Sequence, residues 1–94
     1  MDIKHLEHGG KGAFVVKVDG KRLAEMTYVN VGESGFIIDH TAVDESLRHQ
    51  HVGEKLVAAA VDYAREKSLK IYATCPFALK VLSSTPDYAD VYSG

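Results

Sequence analysis

A chain of 94 residues with 46% hydrophobic content has room for one small core and folds as a single unit spanning residues 1–94. Its net charge of −2 and pI near 6.2 argue against the basic face of a nucleic-acid binder, and no apolar run approaches the roughly 20 residues that cross a bilayer. The lone Cys75 excludes an internal disulfide and, with an N-terminus (Met1-Asp2-Ile3-Lys4-His5) lacking a signal-like apolar stretch, points to the cytoplasm.

Ile3–Glu7 reads as a short strand and Gly9-Gly10-Lys11-Gly12 as a turn. Ala13–Val18, rich in Val, suits a second strand. Asp19-Gly20 between two extended runs favours a two-residue type I′ hairpin. The partner strand, Lys21–Asn30, sets Leu23, Glu25 and Thr27 against Ala24, Met26 and Tyr28 on the other face. After Gly32-Glu33-Ser34-Gly35, a fourth strand covers Phe36–Val43. Simple alternation puts Phe36, Ile38, His40 and Ala42 on one face and Ile37, Asp39, Thr41 and Val43 on the other; a bulge would shift that assignment.

Asp44-Glu45-Ser46 is polar and cap-like. Val52, Leu56, Ala59, Ala60, Tyr63 and Ala64 then recur at helical spacing, predicting an amphipathic helix that runs to about Lys67. Arg65, Lys67 and Lys70 gather at its C-terminal end, where cations are favoured. Leu69–Thr74 is a short buried strand, and Cys75-Pro76-Phe77 opens a second helix, since proline fits the first helical position. Phe77, Val81 and Leu82 pack inward, Thr85-Pro86 ends the helix, and Tyr88 and Tyr92 give the tail a means of docking. The order is β-β-β-β-α-β-α, an α+β (α/β layered) sheet that begins with antiparallel hairpins.

The junction Arg48-His49-Gln50-His51-Val52-Gly53, between a strand and the long helix, carries most of the functional information. The first N–H groups of a helix have no intrahelical partner and the helix dipole favours negative charge beside them, so such a junction binds phosphate.

The element order with this loop resembles the GNAT superfamily of acetyl-CoA-dependent acetyltransferases, whose cofactor motif is Q/R-x-x-G-x-G/A. Arg48 and Gly53 match it; His51 stands where glycine is usual. The wider stretch, Ile38-Asp39-His40-Thr41, the loop and helix, Cys75-Pro76-Phe77-Ala78 and the closing Tyr88 with Asp90-Val91-Tyr92, resembles a subfamily of very short GNAT-like proteins. The resemblance implies a minimal GNAT-like fold with a mixed, mostly antiparallel sheet, and a site for acetyl-CoA or CoA. Histidine at position 51 is tolerated if the backbone there has an ordinary φ. His49 and His51 either add positive charge beside the phosphates or are simply exposed loop residues.

The cofactor-binding set is then Thr41, Val43, Arg48, His49, Gln50, His51, Val52, Gly53 and Lys55. Main-chain groups of Thr41 and Val43 pair with the amide-bearing pantetheine arm as with an added strand, while Arg48 and Lys55 supply charge, although Lys55 suits a solvated surface equally well. Two side chains permit chemistry. Cys75 opens a helix whose dipole favours the thiolate, and His40 sits near the end of the fourth strand. If the fourth and fifth strands pair in parallel, both approach one cleft. Either the thiolate accepts acetyl with His40 as base, or an acceptor amine attacks the thioester directly and His40 or water removes its proton. A lone cysteine is also often a small buried hydrophobe, and a strand histidine a satisfied core residue.

The reading is a small N-acetyltransferase acting on a small-molecule or peptide amine. The alternative is a CoA or acetyl-CoA binding protein without catalysis, a sensor or accessory subunit; a third is an interaction module that has lost cofactor binding. The molecule is a monomer or a weak dimer, with an exposed edge strand as the route to a partner.

Overall fold

The computed structural model describes residues 2–93. Four strands come first: β1 (Ile3–His8), β2 (Lys11–Val18), β3 (Lys21–Val31) and β4 (Gly35–Val43). A 3₁₀ turn at Glu45–Leu47 leads to α1 (Val52–Lys67), then β5 (Lys70–Ala73), α2 (Pro76–Ser84) and a 3₁₀ turn at Pro86–Tyr88. The five strands lie in sequence order in one sheet; β1 to β4 are antiparallel neighbours and β5 runs parallel to β4. The expected order of elements is the observed one. Among the described residues no helix is long and apolar enough to cross a membrane.

Asp19 and Gly20 have φ values of 51° and 79°, the type I′ geometry that the dipeptide predicts. The first turn is tighter than its four-residue composition suggests. Only Gly9 and Gly10 form it, and pairing with β1 and β3 claims Lys11 and Gly12 for β2. Glycine at position 12 serves packing, because a Cβ there would overlap the Tyr28 ring.

Both helices cover one face of the sheet. On that face lie Phe14, Val16, Ala24, Met26, Tyr28, Phe36 and Ile38, and α1 presents Val52, Leu56, Val57, Ala60, Val61 and Ala64 to them. Burial of this stripe is the main stabilisation of the helix. Ala59 and Tyr63 flank the stripe half-buried. In α2, Ala78 and Leu82 are buried while Phe77 and Val81 sit half-buried at its margin. The tail docks: Val91 is buried, and Tyr92 bridges to Ile71 on the outer edge of β5. Arg65 holds it there, donating to both carboxylate oxygens of Asp90 at 2.9 Å and to the Asp87 carbonyl at 2.6 Å. Those bonds keep the Asp90 carboxyl below the usual carboxylate range.

The alternation expected along β4 breaks at Asp39. Tyr28 pairs with Ile38 and Thr27 with His40, so Asp39 is an extra residue, a β-bulge. Beyond it the faces exchange. Thr41 lies opposite Met26 and Val43 opposite Ala24 on the helix-covered face, while His40 and Ala42 project from the open face opposite Thr27 and Glu25. Asp39 is exposed and accepts from the Thr27 hydroxyl at 2.6 Å.

At the far end of the sheet His5 stacks on Phe14, with ring centroids 4.3 Å apart, and its Nε2 lies 2.5 Å from the Tyr28 hydroxyl. Burial there lowers the His5 pKa below its ordinary value of 6.5, against an opposing pull from Glu7. The unfolded chain therefore binds the proton more readily. The His5 contribution to stability is complete above pH 6.5 and is lost as pH falls below it. Urea unfolding midpoints should drop between pH 7.5 and 5.5, and His5→Gln should flatten that slope.

Candidate functional site

The bulge and the end of β5 act together. The Ile38 carbonyl accepts from the N–H groups of both Thr74 (3.0 Å) and Cys75 (3.2 Å), and with those bonds the chain leaves β4 and turns into α2. The parallel pairing stops at Ile38 and Ala73. On the other side of β4, the Asp44 N–H bonds to the Leu23 carbonyl at 2.7 Å. Strand alternation then directs the main-chain groups of Ala42 toward β3 and those of Thr41 and Val43 into the gap that β5 has left. The sequence reading of these two residues as main-chain hydrogen-bonders thus has a geometric basis.

A cleft of about 390 Å³ opens at this gap. One wall is Thr41 and Val43 of β4; the opposite wall is Phe77 of α2. Leu47, Arg48, His49 and His51 of the connecting loop and Val52, Gly53 and Glu54 of α1 close its end. The loop begins with a turn that Asp44 caps, its carboxylate accepting from the Ser46 N–H at 2.9 Å and from the Ser46 hydroxyl at 2.6 Å. These bonds hold the Asp44 carboxyl below the usual carboxylate range.

His51 is the N-cap of α1 and adopts the left-handed conformation, φ 57° and ψ 32°; His49 also has a positive φ of 67°. The condition set for histidine at position 51, an ordinary φ, is therefore not met. This is a glycine-type backbone occupied by histidine, one of the side chains that enter this region more readily than most. Left-handed turns at a helix start gather N–H groups into a concave surface suited to anions. The first i to i−4 bond of α1 is Lys55 N–H to His51 O at 3.0 Å, so the N–H groups of Val52, Gly53 and Glu54 precede the helical ladder.

Gly53 is buried and has no positive φ. Its requirement is closeness: a Cβ would stand 2.5 Å from Cζ of Phe77. Glycine lets the start of α1 meet the aromatic wall of the cleft.

The predicted residues divide accordingly. Thr41, Val43, Arg48, His49, His51, Val52 and Gly53 all line the cleft. Gln50 and Lys55 are exposed and do not line it, and the Gln50 amide instead donates to the Ser46 carbonyl at 3.4 Å. Cys75 lies one side chain behind the wall, only 6% exposed, donating from Sγ to Thr41 Oγ1 at 3.4 Å. His40 does not join it. The expectation that these two approach one cleft fails because the bulge turns His40 to the opposite face of the sheet. Three lining residues escaped the sequence reading. Leu47 was hidden in a polar stretch, Phe77 read as core, and Glu54 carried no signal beyond its place in the first turn. The Glu54 carboxylate sits 3.8 Å from His51 Nδ1.

The donor set fits a diphosphate: main-chain N–H groups at a helix start, the Arg48 guanidinium and two imidazoles, opposed by the single carboxylate of Glu54. The apolar walls, Val43, Leu47 and Phe77, fit an uncharged arm leading away from it.

A family model described as GCN5-related N-acetyl-transferase matches residues 13–91. The chain belongs to that family. A GCN5-like protein from Staphylococcus aureus, solved in solution, is 41% identical and superimposes with a TM-score of 0.75, covering 99% of this chain and 88% of the other. Protein NATD1 of Danio rerio is 30% identical over 83 residues, which is 86% of this chain and 76% of the relative. A Bacillus anthracis protein crystallised with acetyl coenzyme A shares the fold at 17% identity and a TM-score of 0.58, over 73% of this chain and 40% of that one. The five-stranded sheet with two helices is thus the GNAT fold.

Two substitutions separate backbone from packing at the loop. His51→Val should destabilise the fold by about 1–2 kcal/mol, because a β-branched residue resists positive φ, whereas His51→Gly should leave stability near that of the parent. Gly53→Ala should cost about 1–3 kcal/mol by overpacking, and this cost should shrink in a Phe77→Leu background. Urea denaturation of the single and double variants checks both.

Proposed function

We propose that the protein is an acetyl-CoA-dependent N-acetyltransferase acting on a free amine, with the cleft between β4 and α2 as the acetyl-CoA site. The observation that carries the reading is that one cleft joins the start of α1 to the gap beside β4, so a phosphate site and an unpaired strand edge lie end to end.

Acetyl-CoA supplies a thioester carbonyl that an amine can attack. The chain supplies position. Main-chain N–H groups of Val52, Gly53 and Glu54, with Arg48, hold the diphosphate. Thr41 and Val43 offer strand-type hydrogen bonds to an amide-bearing arm and fix its direction toward the point where β4 and β5 part. His49 and His51 add positive charge near the phosphates when protonated, and Glu54 opposes them. The amine nitrogen bonds to the acetyl carbon as the thioester C–S bond breaks, and the proton it loses passes by way of solvent in the open cleft to the departing thiolate, His40 being on the other face. Lys55 acts at most through its charge at a distance, and the Gln50 amide is spent on the Ser46 carbonyl.

A second reading passes the acetyl group through Cys75. Its support is the contact of Sγ with Thr41, which itself lines the cleft, and the place of Cys75 as N-cap of α2. A protein that binds acetyl-CoA without turnover remains the comparison case. The protein works as a cytoplasmic enzyme on small-molecule or peptide amines.

Calorimetry with acetyl-CoA tests the site. Arg48→Ala should weaken binding about fivefold to tenfold by removing one charge-assisted contact. No heat at millimolar acetyl-CoA would reject the proposal. Incubation with acetyl-CoA and an amine panel, read by thiol release and intact mass, then separates the routes. Direct transfer predicts that turnover survives in Cys75→Ala; transfer through the thiol predicts an acetylated Cys75 and loss of turnover in that variant.

A further inference from the structure

The cleft provides for only part of acetyl-CoA. Its helix start suits the diphosphate and its gap suits the amide-bearing arm. The adenosine, with the phosphate on its ribose 3′ oxygen, is left without a place. The arm leaves the helix start toward Thr41 and Val43, so the nucleoside must leave it on another side.

A second cavity, of about 300 Å³, adjoins the cleft. The two share Glu54 and Phe77, and the second continues along α2 past Lys80, Val81, Ser84 and Thr85. Phe77 and Val81 stand four positions apart, both half-buried, and form an apolar strip on the helix surface. A flat base packs well on such a strip. Beside it Lys80 is exposed, and among the described residues no ion pair engages it. The last turn of α2 does not oppose an anion with bare carbonyls. The Ser84 hydroxyl donates to the Lys80 carbonyl at 2.5 Å and the Thr85 hydroxyl to the Val81 carbonyl at 2.7 Å. Glu54 is the one carboxylate lining this cavity, and it stands at the boundary with the cleft, 3.8 Å from His51 Nδ1. Its repulsion leaves the Lys80 end as the place for a negative group.

We infer that Lys80 binds the ribose 3′-phosphate of CoA, with the adenine on Phe77 and Val81. Discrimination between CoA and nucleotides lacking that phosphate then resides in α2, not in the loop that grips the diphosphate. This inference rests on the reading of the cleft as the acetyl-CoA site. A phosphate monoester is close to dianionic at neutral pH, and an ammonium on a flexible stem meets it as a point charge. The contact is exposed, so its share of the affinity is modest and salt weakens it.

Calorimetry with CoA and with 3′-dephospho-CoA tests the assignment. At low salt the parent should bind CoA about threefold to tenfold more tightly, and the difference should narrow in roughly 0.5 M salt. Lys80→Gln should lower the affinity for CoA to that for 3′-dephospho-CoA and leave the latter unchanged, whereas Lys80→Arg should keep the preference. Lys55→Gln should also keep it, because a distant charge acts alike on both ligands. Equal binding of the two ligands by the parent, a preference that survives Lys80→Gln, or an equal loss of preference in Lys55→Gln would each overturn the inference and leave the cleft assignment standing. No heat from either ligand would remove both.

Discussion

The Ile38 carbonyl is the hinge of this structure. By accepting from both Thr74 and Cys75 it ends the parallel pairing of β4 with β5. A carbonyl can take two donors, and here the second one diverts the chain. One residue later the bulge at Asp39 exchanges the faces of β4. Those two local events produce the gap, the outward main-chain groups of Thr41 and Val43, and the placement of Thr41 between Cys75 and the cleft. Without the bulge, alternation would send His40 and Ala42 into the helix-covered face and Thr41 and Val43 out of it.

The loop then supplies what the strand cannot. A strand edge offers hydrogen bonds but little field; a helix start offers both. His51 holds a left-handed backbone that costs on the order of 1–2 kcal/mol for an ordinary side chain. Strain of that kind persists where the surroundings fix it. Here Val52 and Gly53, both buried, fix it, Gly53 by its closeness to the Phe77 ring. The apolar core thus sets the shape of a polar loop. The stabilising devices elsewhere, the His5–Phe14–Tyr28 cluster and the Arg65–Asp90 clasp, lie away from the cleft and leave its edges unencumbered.

Much of this was legible in the sequence. The Asp19-Gly20 turn, the alternation of β3, the α1 stripe and the order of elements rest on short-range chemistry, which a single chain displays. Seven of the nine residues expected around the cofactor line the cleft, because the loop and the end of β4 are consecutive with elements that periodicity locates. What was hidden depends on pairing. The Asp39 bulge exists only in the register of β4 against β3, and alternation alone therefore misplaced His40. The positive φ of His51 is invisible because histidine does not announce it as glycine does. Gly12 looked like a turn residue, although Tyr28, sixteen positions away, is what requires it. Phe77 looked like core for the same reason, since its neighbour across the cleft is Gly53 on another helix.

Amide chemical-shift mapping with acetyl-CoA tests the central claim most directly. The account predicts perturbations that cluster at residues 41–43 and 48–54, with Phe77, and spare the open-face residues around His40. Binding that instead moves the open face, or that leaves the start of α1 unchanged, would contradict it.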